Sequence, residues 1–212
     1  MNVSASLDLL LQRLGNRSGA TLRASCLSEM ALAQEEFEEG LFLPWFLLSE
    51  DLTATITVDE RRVSVPATFI REAEESGLWV VDDDGNKKEL IKKSFDELVI
   101  QHTLEGEATT PLNYSLDGEY FNLFPLPTAA RTLFMKAYLR QAAPTDAVGS
   151  ENKWFKHAAG LMIAAAGEVV ARDHLQSPKL SLGFSTKKAE QWLRLERHST
   201  AREEANMSRT MG

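Results

Sequence analysis

The sequence predicts an α+β protein: a helical bundle drawn from both chain ends, with an antiparallel β-hairpin region inserted between them. Apolar residues recur at helical spacing in the first and last parts of the chain. Between those parts, short β-branched and aromatic runs are separated by Asp, Gly and Asn turns. The composition, 43% hydrophobic and 25% charged over 212 residues, permits a sizeable core. The expected division is an N-terminal helical hairpin (1–41), a β-rich insertion (42–149), C-terminal helices of the bundle (150–198) and a polar C-terminal arm (199–212).

Leu7, Leu10, Leu11 and Leu14 fall at i, i+3, i+4 and i+7, one apolar helical stripe. Ser4 or Ser6 can cap it, and Gly15-Asn16 ends it. A second helix over 19–39 carries Leu22, Cys26, Met30, Ala33 and Phe37, with Gly40 as its stop. The short turn between the two predicts an αα-hairpin. Glu35, Glu36, Glu38 and Glu39 crowd the end of the second helix, where acidic groups oppose the helix dipole. They read as a solvated end or as a patch held for a basic partner.

Thr53, Thr55, Thr57, Val63 and Val65 flank Asp59-Glu60 and predict a first hairpin. Residues 78–81 and 90–91 flank Asp82-Asp83-Asp84-Gly85-Asn86, a second hairpin with strong turn chemistry. Ser94 and Glu97 have capping-box spacing for a short helix over 95–102. Residues 114–116 and 120–124 flank Asp117-Gly118 as a third hairpin, and 132–139 forms one more strand. The segment 154–175 holds eight alanines or glycines, and Gly160, Ala164, Gly167 and Ala171 share one of its faces. Small residues at that spacing admit another helix at close range, within a subunit or between subunits. A last helix runs over 186–198, and Ser199-Thr200 with Glu203 can restart a turn.

The net charge of -8 makes a phosphate backbone a poor default partner. Residues 179–212 depart from that balance, with seven Lys/Arg against four Glu. Arg194, Arg197, Arg202 and Arg209 make this stretch a candidate interaction arm. The single cysteine, Cys26, excludes an intramolecular disulfide, fits a reducing compartment, and reads as a small buried side chain. The four histidines are scattered and no HExxH is present, so no metal site is expected. Asp82, Asp84 and Asn86 mimic the start of a calcium loop, but the positions that require Gly and Glu are Lys87 and Lys93. Neither a phosphate-binding glycine loop nor a nucleophile elbow occurs, so no cofactor is expected. The N-terminal stretch lacks a basic start, and 158–167 is too short to span a bilayer. The chain reads as soluble, without a membrane partner, and made in a cytoplasm.

The order of these features resembles the head-to-tail adaptor (connector, or head-completion) proteins of tailed bacteriophages. The resemblance is carried by FLPWFLLSED at 42–51, VPATF at 65–69, YSLDGEYFNLFPLP at 114–127 and ENKW at 151–154, which opens the alanine-rich helix. It implies a helical bundle with a β insertion, and a non-enzymatic virion protein in the neck between capsid and tail. It also implies a homo-oligomeric ring of about twelve subunits beneath the portal. Such a ring contacts the portal protein and the tail or nozzle protein, and DNA only passes through its channel. The C-terminal arm, with Arg194, Arg197, Arg202 and Arg209, is expected to reach the portal, so removing 199–212 should weaken attachment. The alternatives are another neck or tail component, such as a tail-tube terminator, and, in a different class, a carboxylate-based hydrolase.

Overall fold

The structure is a computed structural model, described over residues 1–17, 19–73, 77–82, 84–104, 110–147 and 150–210, without the side chains of 51, 103, 104 and 203–210. In chain order the elements are α1 (Val3–Arg13), α2 (Ala20–Glu38), a 3-10 turn (Trp45–Leu47), β1 (Leu48–Ile56), β2 (Arg62–Ser64), β3 (Phe69–Glu72), β4 (Leu78–Val81), β5 (Lys87–Glu89), β6 (Ile91–Lys92) and α3 (Phe95–Leu104). They continue with β7 (Asn113–Asp117), β8 (Tyr120–Phe124), β9 (Arg131–Leu139), α4 (Lys153–His157), α5 (Ala159–Val169), a π turn (Val170–His174) and α6 (Pro178–Thr210). The chain divides into two compact units: Met1–Leu47 with Arg140–Gly212, and Leu48–Leu139.

The predicted class is overturned. The fold is mixed α/β, about 47% helix and 23% strand, with two sheets and helices scattered along the chain, and it is not a helical bundle. Helices of 11, 19, 5, 11 and 33 residues lack the matched lengths along which a bundle packs. Nor are the strands a set of local hairpins. β9 spans nine residues and pairs on both edges, so it gathers β1 on one side and β3 and β4 on the other. Adjacent-strand reasoning cannot foresee such long-range pairing.

In the strand unit, one sheet runs β1-β9-β4-β5 with β3 also on β9, and the other runs β2-β8-β7-β6. The second expected hairpin forms at its expected turn, but β4 pairs with 87–89 and not with 90–91, because Ile91 pairs in parallel with Asn113 in the other sheet. The third, expected over 114–116 and 120–124, is present, with Asp117 opposite Tyr120. The first expected hairpin is not, because β1 and β2 belong to different sheets. β1 enters beside the exit of β9, with Leu48 paired to Tyr138. Ile56, Leu78, Val80, Phe121, Leu123, Leu133 and Met135 form one apolar cluster that draws side chains from both sheets. In β4 and β9 more and less buried residues alternate, as strands of period 2 require, whereas β8 is buried at four of its five positions.

In the helical unit, α5 packs against α1, α2, α4 and α6. Its seven consecutive buried residues, Leu161 to Gly167, suit a helix enclosed on all sides. α1 is capped by Asn2, whose Oδ1 accepts from the Ala5 N–H at 2.9 Å, rather than by Ser4 or Ser6. Ser6 is used differently: its hydroxyl donates to the Asn2 carbonyl.

Candidate interaction surfaces

α6 is one continuous helix through the expected break near 198 and is about 50 Å long. Its inner face includes Phe184, Leu195 and Ser199, all buried. Arg202 follows on that side, with its guanidinium 3.6 Å from the centre of the Trp45 ring. Trp45 in turn meets the edge of His157, and Phe46 stacks on the same imidazole at 5.2 Å. Burial, helped by Lys156 and Arg202, holds His157 below the usual histidine range. Arg202 therefore fastens the last part of α6 to the 3-10 turn, and it does not join Arg194 and Arg197 in one patch. Those two lie exposed on the outer face. The Arg209 side chain lies outside the described residues.

On the outer face, at 100° per residue, Leu182 and Leu193 project in nearly the same direction, 70% and 52% exposed. Lys179, Glu190 and Arg197 flank them on one side and Glu196 on the other, with Arg194 further round. Exposed leucines with a charged border of both signs on a solvent-facing helix have the character of a protein-docking surface.

The small residues have an intramolecular use. A Cβ on Gly167 would lie 2.6 Å from the Phe184 ring, and one on Gly160 would lie 3.0 Å from Gln191 Oε1. Both neighbours belong to α6, so these glycines set how closely α6 approaches α5. Ala164 and Ala171 are fully buried beside them in sequence order, Ala171 within the π turn.

A buried polar network was misread in the sequence. Glu38 is 2% exposed, not solvated. Its Oε1 accepts from Trp154 Nε1 at 2.8 Å and from the Gln141 N–H at 3.1 Å. One turn earlier, Gln34 donates to the Gln141 carbonyl, and Asn152 donates to Gln34 Oε1 and to the Ala142 carbonyl. The network fixes the chain's return at 140–142 and the cap of α4. Burial raises the Glu38 carboxyl above the usual range, opposed by the two donated hydrogen bonds. Gln34 and Glu38 extend the helical stripe of Met30, Ala33 and Phe37, and that spacing was the available signal.

The outward face of the β1-β9-β4-β5 sheet holds a cavity of about 450 Å³ lined by Glu50, Thr53, Trp79, Lys87, Phe134 and Lys136. Trp79 and Phe134 are cross-strand partners. Lys87 lies over the Phe134 ring at 4.6 Å, and Lys136 pairs with Glu50 at 3.3 Å. Its polar groups are thus mutually engaged and single out no substrate. On α3, Leu98 is buried, whereas Phe95, Val99 and Ile100 are exposed, Ile100 by 67%.

No group of three or more His, Cys, Asp or Glu positioned for a metal occurs among the described residues. At the calcium-like turn, Asp82 Oδ1 accepts from the N–H groups of Asp84 and Asn86, and Lys88 lies 3.1 Å from its Oδ2. Those bonds hold its carboxyl below the usual range. Asp83 of that turn is outside the described residues. Cys26 is buried, and desolvation pushes its thiol up to about 11. No described helix is long and apolar enough to cross a membrane. No protein-family model matches the chain, and no curated protein matches it.

Proposed function

We propose that this chain is a structural, non-enzymatic subunit of a ring that joins a capsid portal to a viral tail and continues the DNA channel, as the resemblance to head-to-tail adaptors implies. The helical-bundle architecture that came with that resemblance forms no part of the reading. The supporting observation is the outer face of α6, where the exposed leucines Leu182 and Leu193 are bordered by charged residues, Lys179, Glu190, Glu196 and Arg197. A long helix that leaves such a stripe to solvent gains from covering it with protein. The acidic bulk of the chain suits a channel wall that repels phosphates. A heterologous contact repeated about an axis closes into a ring.

The test mixes the full chain with the portal protein from its own genome and weighs the complex by native mass spectrometry. About a dozen copies on one portal ring is the expected result. An intact portal that binds none of the chain refutes the adaptor reading and favours another neck or tail component. The contribution of the C-terminus is tested by deleting 203–212. Removing 199–212, the obvious truncation from sequence, would also strip buried Ser199 and the Arg202–Trp45 contact from the helical unit.

A further inference from the structure

In the strand unit, α3 packs on β7 and β8. Tyr114, Phe121 and Leu123 belong to the inter-sheet core, so by alternation Asn113, Ser115, Asn122 and Phe124 face the other way. Phe124 meets the edge of Phe95 at 5.8 Å and stacks on His102 at 5.6 Å, which puts α3 on that side of the sheet. The polarity of this seat is inverted. Beneath it lie Ser115 and Asn122, cross-strand partners that are each 2% exposed. Among the described residues, neither Ser115 Oγ nor Asn122 Nδ2 has a hydrogen-bond partner. Above it, α3 buries one described side chain, Leu98, and leaves Phe95, Val99 and Ile100 exposed. The Lys93 N–H donates to the Tyr114 carbonyl at 2.9 Å, which anchors the chain to β7 just before the helix begins.

We propose that α3 is a hinged cover, which lifts from the β7-β8 face as a unit, turning about residues 93–94, while both sheets stay folded. The balance of forces at the seat supports this. Closing takes a hydroxyl and an amide out of water and gives them no hydrogen bond in return; lifting restores water to both. Against that, closing buries Leu98 and brings Phe95 and His102 onto Phe124. A ten-residue helix on such a seat opens more readily than the nine-residue β9, which is paired on both edges. Lifting turns two surfaces to solvent together: the polar row Asn113, Ser115 and Asn122, and the side of α3 that carries Phe95 and Leu98. The device belongs to the strand unit alone and is independent of the ring reading.

Hydrogen exchange on the full chain, read by mass spectrometry on peptides covering α3 and β9, tests it. The α3 amides are expected to exchange at least about a hundredfold faster than those of β9. Low concentrations of urea should leave the α3 rate nearly unchanged and raise that of β9, because lifting a helix exposes little surface and unfolding the sheets exposes much. Ser115→Ala with Asn122→Leu replaces both unpaired groups by apolar ones and should slow α3 exchange about tenfold. Leu98→Ala should speed it about tenfold. If the double variant loses its circular dichroism spectrum, Ser115→Ala alone decides, with a slowing of about threefold expected. Exchange in α3 as slow and as sensitive to urea as in β9 overturns the proposal. So does an apolar substitution of the pair that leaves α3 exchange unchanged or faster, the result of a bridging water that satisfies both groups. An α3 rate indifferent to Leu98→Ala overturns it as well.

Discussion

Replacing Glu38 with alanine removes the acceptor shared by the buried Trp154 Nε1 and the part-buried Gln141 N–H. A buried donor left without a partner costs roughly 1–3 kcal/mol. One such donor and a second that is part-buried, with the loss of the side chain's packing, put the expected destabilisation at about 2–4 kcal/mol. Glu38→Gln keeps an oxygen at the same place and removes the buried charge, so it should be neutral or stabilising near pH 7. The sign with pH follows from the raised carboxyl. Between its ordinary value and its folded value the native state holds more protons than the unfolded chain, so stability falls as pH rises through that window. The cost is absent below the window and complete above it. Urea unfolding followed by tryptophan fluorescence, at pH 4 to 8, measures both effects. The glutamine variant should lack the decline attributable to this group. A glutamine variant with the natural pH profile, or an alanine variant that loses less than about 1 kcal/mol, would refute the reasoning.

Gly167→Ala forces the Phe184 ring to move and should destabilise by about 1–3 kcal/mol in the same assay. Gly183→Ala, on the open side of α6, has nothing within 4 Å of the new methyl and should instead stabilise by about 0.5–1 kcal/mol. Arg202→Ala should cost about 0.5–2 kcal/mol and speed hydrogen exchange in the last turns of α6, with Arg202→Lys retaining part of the protection. Cys26, buried with its thiol pushed up to about 11, should react with a thiol reagent at pH 8 only as fast as the helical unit opens. Rapid labelling of the folded chain would contradict that burial.

The legible parts of this fold were its local ones. The leucine stripe of α1, the turn at 82–86 and the Asp117-Gly118 hairpin each follow from a few neighbouring side chains. The illegible parts depend on distant partners. β9 has an ordinary strand pattern, and nothing in it announces that β1, β3 and β4 will pair with it. Glu38 stands in a run of glutamates, and its burial depends on Trp154 and Gln141 arriving from far along the chain. The same holds for the C-terminal arginines. Composition groups Arg194, Arg197 and Arg202, whereas helical rotation turns two outward and sets the third on Trp45. The small-residue face was visible in sequence, but which helix it admits was not, until Phe184 and Gln191 placed α6 there.

The pairing of Leu48 with Tyr138 means that the strand unit's two connections leave from adjacent points, roughly 5 Å apart. A segment whose ends meet in this way behaves as a cassette. It can be cut out at 48 and 139 and its gap bridged by a few glycines and serines, or exchanged for another domain with equally close ends, without stretching the chain that hosts it. Two lineages of such a protein could then trade one surface while keeping the other, by recombination at two neighbouring points of the structure that stand far apart in the gene.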